Sequence, residues 1–365
     1  KIAYPTYRVV TTNINQSGSN AESDTIRALS KVTIEGMVVD GAGDMVTDFN
    51  GHLKSIVFDK ESVVTTLGQD ESSSQRTFLV RKNTIYNGLS SVSDGEFAFS
   101  FIVPKDIAYN FGRGKVSYYA ENGEEDASGY NMEIVIGGYN DDTFVDNQGP
   151  EIELYMNDTA FRSGDITHEN PVLLARVFDE SGINTVGNSI GHDITAILND
   201  NTERPYKLNE FYESDLKGYQ SGTVRYPFSN LPAGEHEVTF RIWDVYNNSS
   251  EATLKFVVVD RDQIVINNAY NRPNPFAYET WFEYNHNKAS EAVDVEISIY
   301  DMSGRLMTTL QQNNVSGGFY ASPIRWDGTS SNGNYLEGGI YIYRVQIRDE
   351  QGQTTSAVKR LVIAR

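Results

Sequence analysis

Four oxygen-bearing side chains hold the spacing most open to chemistry: Asp146, Asp179, Asp244 and Asn247. Asp146 precedes a run of strand-forming residues, and Asp179 and Asp244 each follow one. Loops at one end of a β-sandwich gather in space, so these groups are candidate ligands for calcium, which takes six to eight hard oxygens. Asp and Asn also cap turns through their own backbones, and that second reading stays open from the sequence. A different pattern, Gly187-Asn-Ser-Ile-Gly191, has the form of a nucleophile elbow, with His192 and Asp193 beside it. An elbow needs a strand turning sharply into a helix. Here Gly-rich loop and a short apolar run, Asp193 to Leu198, flank the serine, and His192 is too near in sequence to swing onto Ser189. A structural loop is expected, and no catalytic residue is assigned. The five histidines show no metal-ligand spacing, and each is read as a surface or hydrogen-bonded residue.

The chain has no cysteine, which excludes thiol nucleophiles, thiolate metal sites and disulfides within these 365 residues. A net charge of −20 argues against nucleic acid or anionic lipid as partner and favours solubility. No run of 18 apolar residues and no signal-peptide pattern occurs. The chain opens at Lys1, without Met, and is expected to be part of a longer polypeptide. Apart from calcium, no cofactor is expected.

The elements that position these groups read as strands. Phe97, Phe99, Phe101 and Val103 alternate with smaller or polar residues, as do Val116, Tyr118 and Ala120. Val32, Ile34 and Val38 share one face, interrupted by Gly36. Downstream, Glu151–Met156, Val172–Phe178, Glu237–Asp244 and Ala252–Val259 are the clearest runs. Val293, Val295, Ile297 and Ile299 alternate before an Asp301–Gly304 turn, and Ile340–Ile347 is a Tyr-rich strand. No amphipathic helix longer than two turns is evident. The fold expected is all-β, in tandem immunoglobulin-like β-sandwich domains. The organisation expected is a lead-in segment from an upstream domain (1–29), a first sandwich (30–140), an acidic linker (141–150), a second sandwich (151–260) and a C-terminal domain (261–365). Ser17–Ser23 and Gln69–Gln75 read as polar loops.

The last quarter of the chain contains Asn271-Arg-Pro-Asn-Pro-Phe276, Val293 to Arg305, Trp326-Asp-Gly328 and Gly338-Gly-Ile-Tyr-Ile-Tyr-Arg344. That order resembles the C-terminal domain of proteins exported by the Bacteroidota type IX secretion system, and the immunoglobulin-like module of the flagellar hook-cap protein. Upstream stand Val103-Pro-Lys-Asp-Ile107, Asp146-Asn-Gln-Gly-Pro150, Phe161-Arg-Ser-Gly164, Asp179-Glu-Ser-Gly-Ile-Asn184, Gly191-His-Asp-Ile194 and Trp243-Asp-Val-Tyr-Asn-Asn248. This ordered set resembles the region that follows the gingipain-like cysteine peptidase domain in the sortase family of that system.

The resemblance implies a cell-surface protein on the outer face of the outer membrane. The parent would remove C-terminal signals from cargo and join cargo to anionic lipopolysaccharide, with a catalytic Cys and His upstream of Lys1. These residues would then be non-catalytic. They would scaffold the peptidase domain and dock it on the outer-membrane barrel PorV, alongside other attachment-complex subunits and cargo C-terminal domains. Two rival readings stand beside it. One is the C-terminal region of a secreted cargo protease or adhesin. The other is a carbohydrate-binding β-sandwich module, for which the three tryptophans Trp243, Trp281 and Trp326 offer no exposed platform. Tyr341 and Tyr343, or their opposite-face neighbours, read either as partner-facing positions or as core. The last strand, Ser356–Ile363, carries Lys359 and Arg360 and is expected at a sheet edge.

Overall fold

The computed structural model describes residues 5–16, 25–70, 72–140, 146–186, 191–216, 218–260, 264–288, 291–315 and 321–365. The protein is all-β: among the described residues the one helical element is a three-residue 3-10 turn, Asn209–Phe211. The expected loop Ser17–Ser23 and the elbow serine Ser189 lie outside the described residues.

Two compact units divide the chain. The first comprises Lys1–Leu154, Leu174–Tyr226 and Val238–Thr253, and the second Tyr155–Leu173, Pro227–Glu237 and Leu254–Arg365. The stretch expected as a second sandwich contributes to both.

In the first unit, neighbouring strands run in the order Ser221–Pro227, Tyr212–Ser214, Thr84–Ser93, Gly51–Phe58, Lys115–Glu121, Asp126–Asn131, Tyr7–Gln16, Lys31–Val39 and Glu96–Ile102. Tyr7–Gln16, expected only as an extended lead-in, is a full member of this sheet. It pairs parallel with Asp126–Asn131 and antiparallel with Lys31–Val39. A hairpin pairs Val92 with Phe97 and Ser93 with Glu96. Through it the sheet folds back on itself around one core, as strand twist permits. The alternation seen in sequence sets that core: Phe97, Phe99, Phe101, Val116, Tyr118 and Ala120 are all buried. Tyr86 stacks on Phe99 and Phe101 with ring centroids 5.2 and 5.0 Å apart. Gly36 does not interrupt the strand. A Cβ there would lie 2.3 Å from both the Phe97 ring and the Val10 carbonyl oxygen, so glycine is what lets three strands meet.

In the second unit the C-terminal residues form two sheets. Ile266–Arg272, Thr280–His286 and Ile324–Trp326 make one. Leu306–Val315, Val293–Tyr300, Gly339–Arg348 and Thr354–Ile363 make the other, in that order. Their inner faces enclose Phe282, Val295, Ile297, Trp326, Tyr343 and Leu361, among others. Tyr341 and Tyr343 are 8% and 1% exposed, which decides for the core reading; the partner-facing reading of these two rings is corrected. The opposite face of the same strand carries Ile340, which is 51% exposed. Asp301 closes its turn by accepting from the backbone N–H of Ser303 and Arg305, and Gly304 takes a positive φ.

The Asn-Arg-Pro-Asn-Pro segment has a definite structural use. Asn274 Oδ1 accepts from Val362 N at 2.9 Å, and its Nδ2 donates to Arg360 O at 3.1 Å. The carboxamide thus pairs with the last strand as a backbone peptide would. Phe276 follows, exchanging main-chain bonds with Val362 and Ala364. The strand lies at its sheet's edge, as expected, with the end nearest the C-terminus covered in this way.

Candidate functional site

The first unit brings Asp146, Asp179 and Asp244 together. One carboxylate oxygen from each lies within 4.8 Å of the others. Three loops supply them, and each loop is shaped by its own aspartate. Asp146 Oδ1 accepts from Gln148 N at 3.0 Å. Asp179 Oδ1 accepts from Ser181 N and Gly182 N at 2.8 and 3.0 Å, and Gly182 holds a positive φ. Asp244 accepts from Asn248 N and from Asn248 Nδ2, both at 2.7 Å. Cross-links then tie the loops: Ser181 Oγ donates to Asp146 Oδ2 at 2.5 Å, and Asn248 Nδ2 reaches the Asp146 carbonyl at 3.2 Å. Turn capping and convergence therefore coexist in the same three residues.

Asp244 is fully buried and Asp179 is 6% exposed. Among the described residues, no Lys, Arg or His forms an ion pair with any of the three. Burial, and next the charge of Asp244, push the Asp179 carboxyl up to about 7. Burial raises Asp244 as well. A cleft of about 410 Å³ opens on the site between Asp146 and Asp179. This donor set is all oxygen and strongly anionic, the chemistry of a hard divalent cation site.

Asn247, the fourth candidate, is not gathered there. Its Nδ2 donates to Asp106 Oδ1 at 2.8 Å, and its Oδ1 accepts from Asn184 Nδ2 at 3.3 Å. Asp106 is the centre of a network that sequence reasoning did not assign. Its Oδ2 accepts from Asn184 Nδ2 at 3.0 Å and lies 2.7 Å from His192 Nδ1. The His192 ring rests against Trp243 with centroids 4.3 Å apart. Asp193 pairs with Lys207 at 2.5 Å. The signal was available in part: the segments holding Asp106, Asn184, His192 and Trp243 are the same short motifs that carried the family resemblance.

The fold and site define an all-β chain of immunoglobulin-like type with an acidic, loop-built cluster. The FlgD Ig-like domain family matches residues 279–351. No curated protein sequence matches the chain. Among solved structures, dimeric latent PorU from Porphyromonas gingivalis aligns at 31% identity, over 99% of this chain and 34% of that one, with a TM-score of 0.42. The chain thus spans about a third of the length of that protein. The SGBP-B protein of the Bacteroides ovatus mixed-linkage glucan utilization locus, solved with a mixed-linkage heptasaccharide, aligns at 10% identity over 97% of this chain and 70% of its own, with a TM-score of 0.28. The FN1–FN3 domains of chicken CNTN1 align at 9% identity over 97% and 98%, with a TM-score of 0.24. Neither of the last two bears on function.

Proposed function

We propose that this chain is the non-catalytic part of a type IX secretion sortase, following its cysteine peptidase domain and docking it on an outer-membrane barrel of the PorV type at the cell surface. The observation that carries the reading is the 31% identity to PorU along 99% of the chain. The family match at residues 279–351 agrees with a C-terminal immunoglobulin-like module. The absence of cysteine places any thiol nucleophile of such a sortase outside these residues. For docking, the outward face of the last two strands offers Ile340 and Val358, 51% and 60% exposed, beside the exposed Arg360. Exposed apolar side chains interleaved with basic ones, Arg360 across from Ile342 and Arg344 across from Val358, suit a protein partner in an acidic chain. A calcium ion held by Asp146, Asp179 and Asp244 belongs to the same proposal, as a clamp on the three loops.

The test is co-purification with PorV from cells, comparing the full protein with one lacking residues 261–365. The truncated protein is expected to leave the cell surface and lose PorV. Undiminished co-purification would place docking elsewhere and overturn the reading.

A further inference from the structure

The second unit buries a cation between two carboxylates, where one of its C-terminal sheets passes into the other. Lys288 follows the Thr280–His286 strand of one sheet, and Asp349 follows the Gly339–Arg348 strand of the other. Arg348 stands across from Asp294, which brings Asp349 to the turn that carries Lys288 and Glu291 into the next strand. The Lys288 side chain is 6% exposed and the Asp349 side chain is wholly buried. Lys288 Nζ lies 3.5 Å from Asp349 Oδ2 and 3.5 Å from Glu291 Oε2.

Local hydrogen bonds hold the three residues in place. Lys288 N donates to His286 Nδ1 at 3.3 Å, and Glu291 N donates to Lys288 O at 3.3 Å. Asp349 Oδ1 accepts from Gln353 N at 2.7 Å, which leaves Oδ2 for the amine. Among the described residues, neither Asp349 Oδ2 nor Glu291 Oε2 has a hydrogen-bond partner, and both atoms are sealed from solvent. Buried polar atoms are rarely left so. A buried ion pair offsets its desolvation only through close geometry and further hydrogen bonds, and this one has neither at those two oxygens. Nothing from outside reaches these atoms, so the chemistry open to them is with one another.

We infer that Lys288 and Asp349 condense into an intramolecular isopeptide bond, a covalent tie between the two sheets of the C-terminal sandwich. A lysine amine held out of water is an activated nucleophile. Groups fixed about 3–3.5 Å apart react as if each were present at very high concentration. In the step, Lys288 Nζ attacks Asp349 Cγ. Two protons pass from the nitrogen to one carboxylate oxygen, with Glu291 accepting and returning them as general base and then general acid. One nitrogen–carbon bond forms, one carbon–oxygen bond breaks, and one water leaves. The positive and negative charges cancel in a neutral amide, and no oxidant or co-reactant enters. Nothing in this pair depends on docking, and failure of that reading leaves it in place.

The experiment is mass spectrometry of the whole chain, purified folded and then denatured. The expected mass is lower than that of the sequence by one water. Trypsin is expected to release a branched peptide, uncut at Lys288 and joined to the peptide that begins at Asp349. Lys288→Arg should restore the full sequence mass. Asp349→Asn should still join, losing ammonia in place of water. Glu291→Gln should leave most of the chain unjoined, and a Glu291→Gln chain that joins as completely as the unaltered one overturns the part given to Glu291. The mass of the unaltered chain decides whether or not any variant folds. Full sequence mass there overturns the inference. So does a loss of water without the branched peptide, as dehydration at Asp94-Gly95 or Asp327-Gly328 would give.

Discussion

Ser181 donates its hydroxyl proton to Asp146 at 2.5 Å, joining the loop that carries Asp179 to the segment ahead of residue 151. Three anionic side chains are held together by neutral donors, and that arrangement has a measurable pH signature.

Asp179 titrates near 7 in the folded protein against 3.8 for the free side chain. The folded state therefore holds the extra proton between those values. Metal-free stability should fall as pH rises from about 4 through 7, by on the order of 4 kcal/mol at most, and stay low above. Asp179→Asn should flatten that slope and raise the metal-free melting temperature at pH 8. Chemical denaturation at pH 5 and pH 8 decides; a steeper loss in the variant than in the parent contradicts the assignment.

Calcium should reverse the same penalty. Added to metal-stripped protein at pH 7.5, it is expected to raise the melting temperature by mass action, with a larger shift at pH 8 than at pH 5, where Asp179 holds its proton. Asp244→Asn should abolish the shift. A melting curve indifferent to both calcium and chelator removes the ion from the proposal.

In the second unit His286 is 2% exposed, and burial holds its imidazole down at about 4. The unfolded chain binds a proton from about pH 6.5 downward, whereas the folded one resists until about 4. Stability is thus full above pH 6.5 and lost as pH falls toward 4, the opposite direction to Asp179. His286→Gln should remove that acid-side loss from the unfolding of the C-terminal residues, as followed by hydrogen exchange. An unchanged acid-side profile would assign the loss to another group.

Gly36→Ala should destabilise the first unit by more than about 2 kcal/mol, because the new methyl meets the Phe97 ring and the fixed Val10 carbonyl. Urea midpoints measure it. A near-neutral result would mean that the strand can shift outward at that point.

Strand alternation was legible where the buried face is an unbroken apolar series, and missed in Gly51–Phe58, where Ser55 interrupts the buried face of Leu53 and Val57. Val293 to Ile299 and Phe97 to Phe101 alternate in sequence and lie in strands whose inner faces are the core. Tyr212–Ser214 and Ser221–Pro227 were not legible as strands. They are short or broken by glycine, and they find their place by joining a sheet edge, through a parallel bridge of Ser214 to Gly88, which local periodicity does not encode. The aspartates were legible as a set because each follows or precedes an apolar run. Asn247 satisfied the same rule yet turned away, since Asp106, 141 residues earlier, offered it a buried carboxylate. Side-chain direction at a loop is decided by such distant partners, and spacing does not carry that information.

The parallel pairing of Tyr7–Gln16 with Asp126–Asn131 also has a mechanical meaning. A pull toward the N-terminus on the first strand and toward the C-terminus on the second slides the two past each other lengthwise. Their cross-strand bonds are then loaded together in shear instead of parting one by one like a zipper. A pull on the two ends of this stretch would load its two register pairs, Tyr7 with Ala127 and Arg8 with Ser128, at the same time.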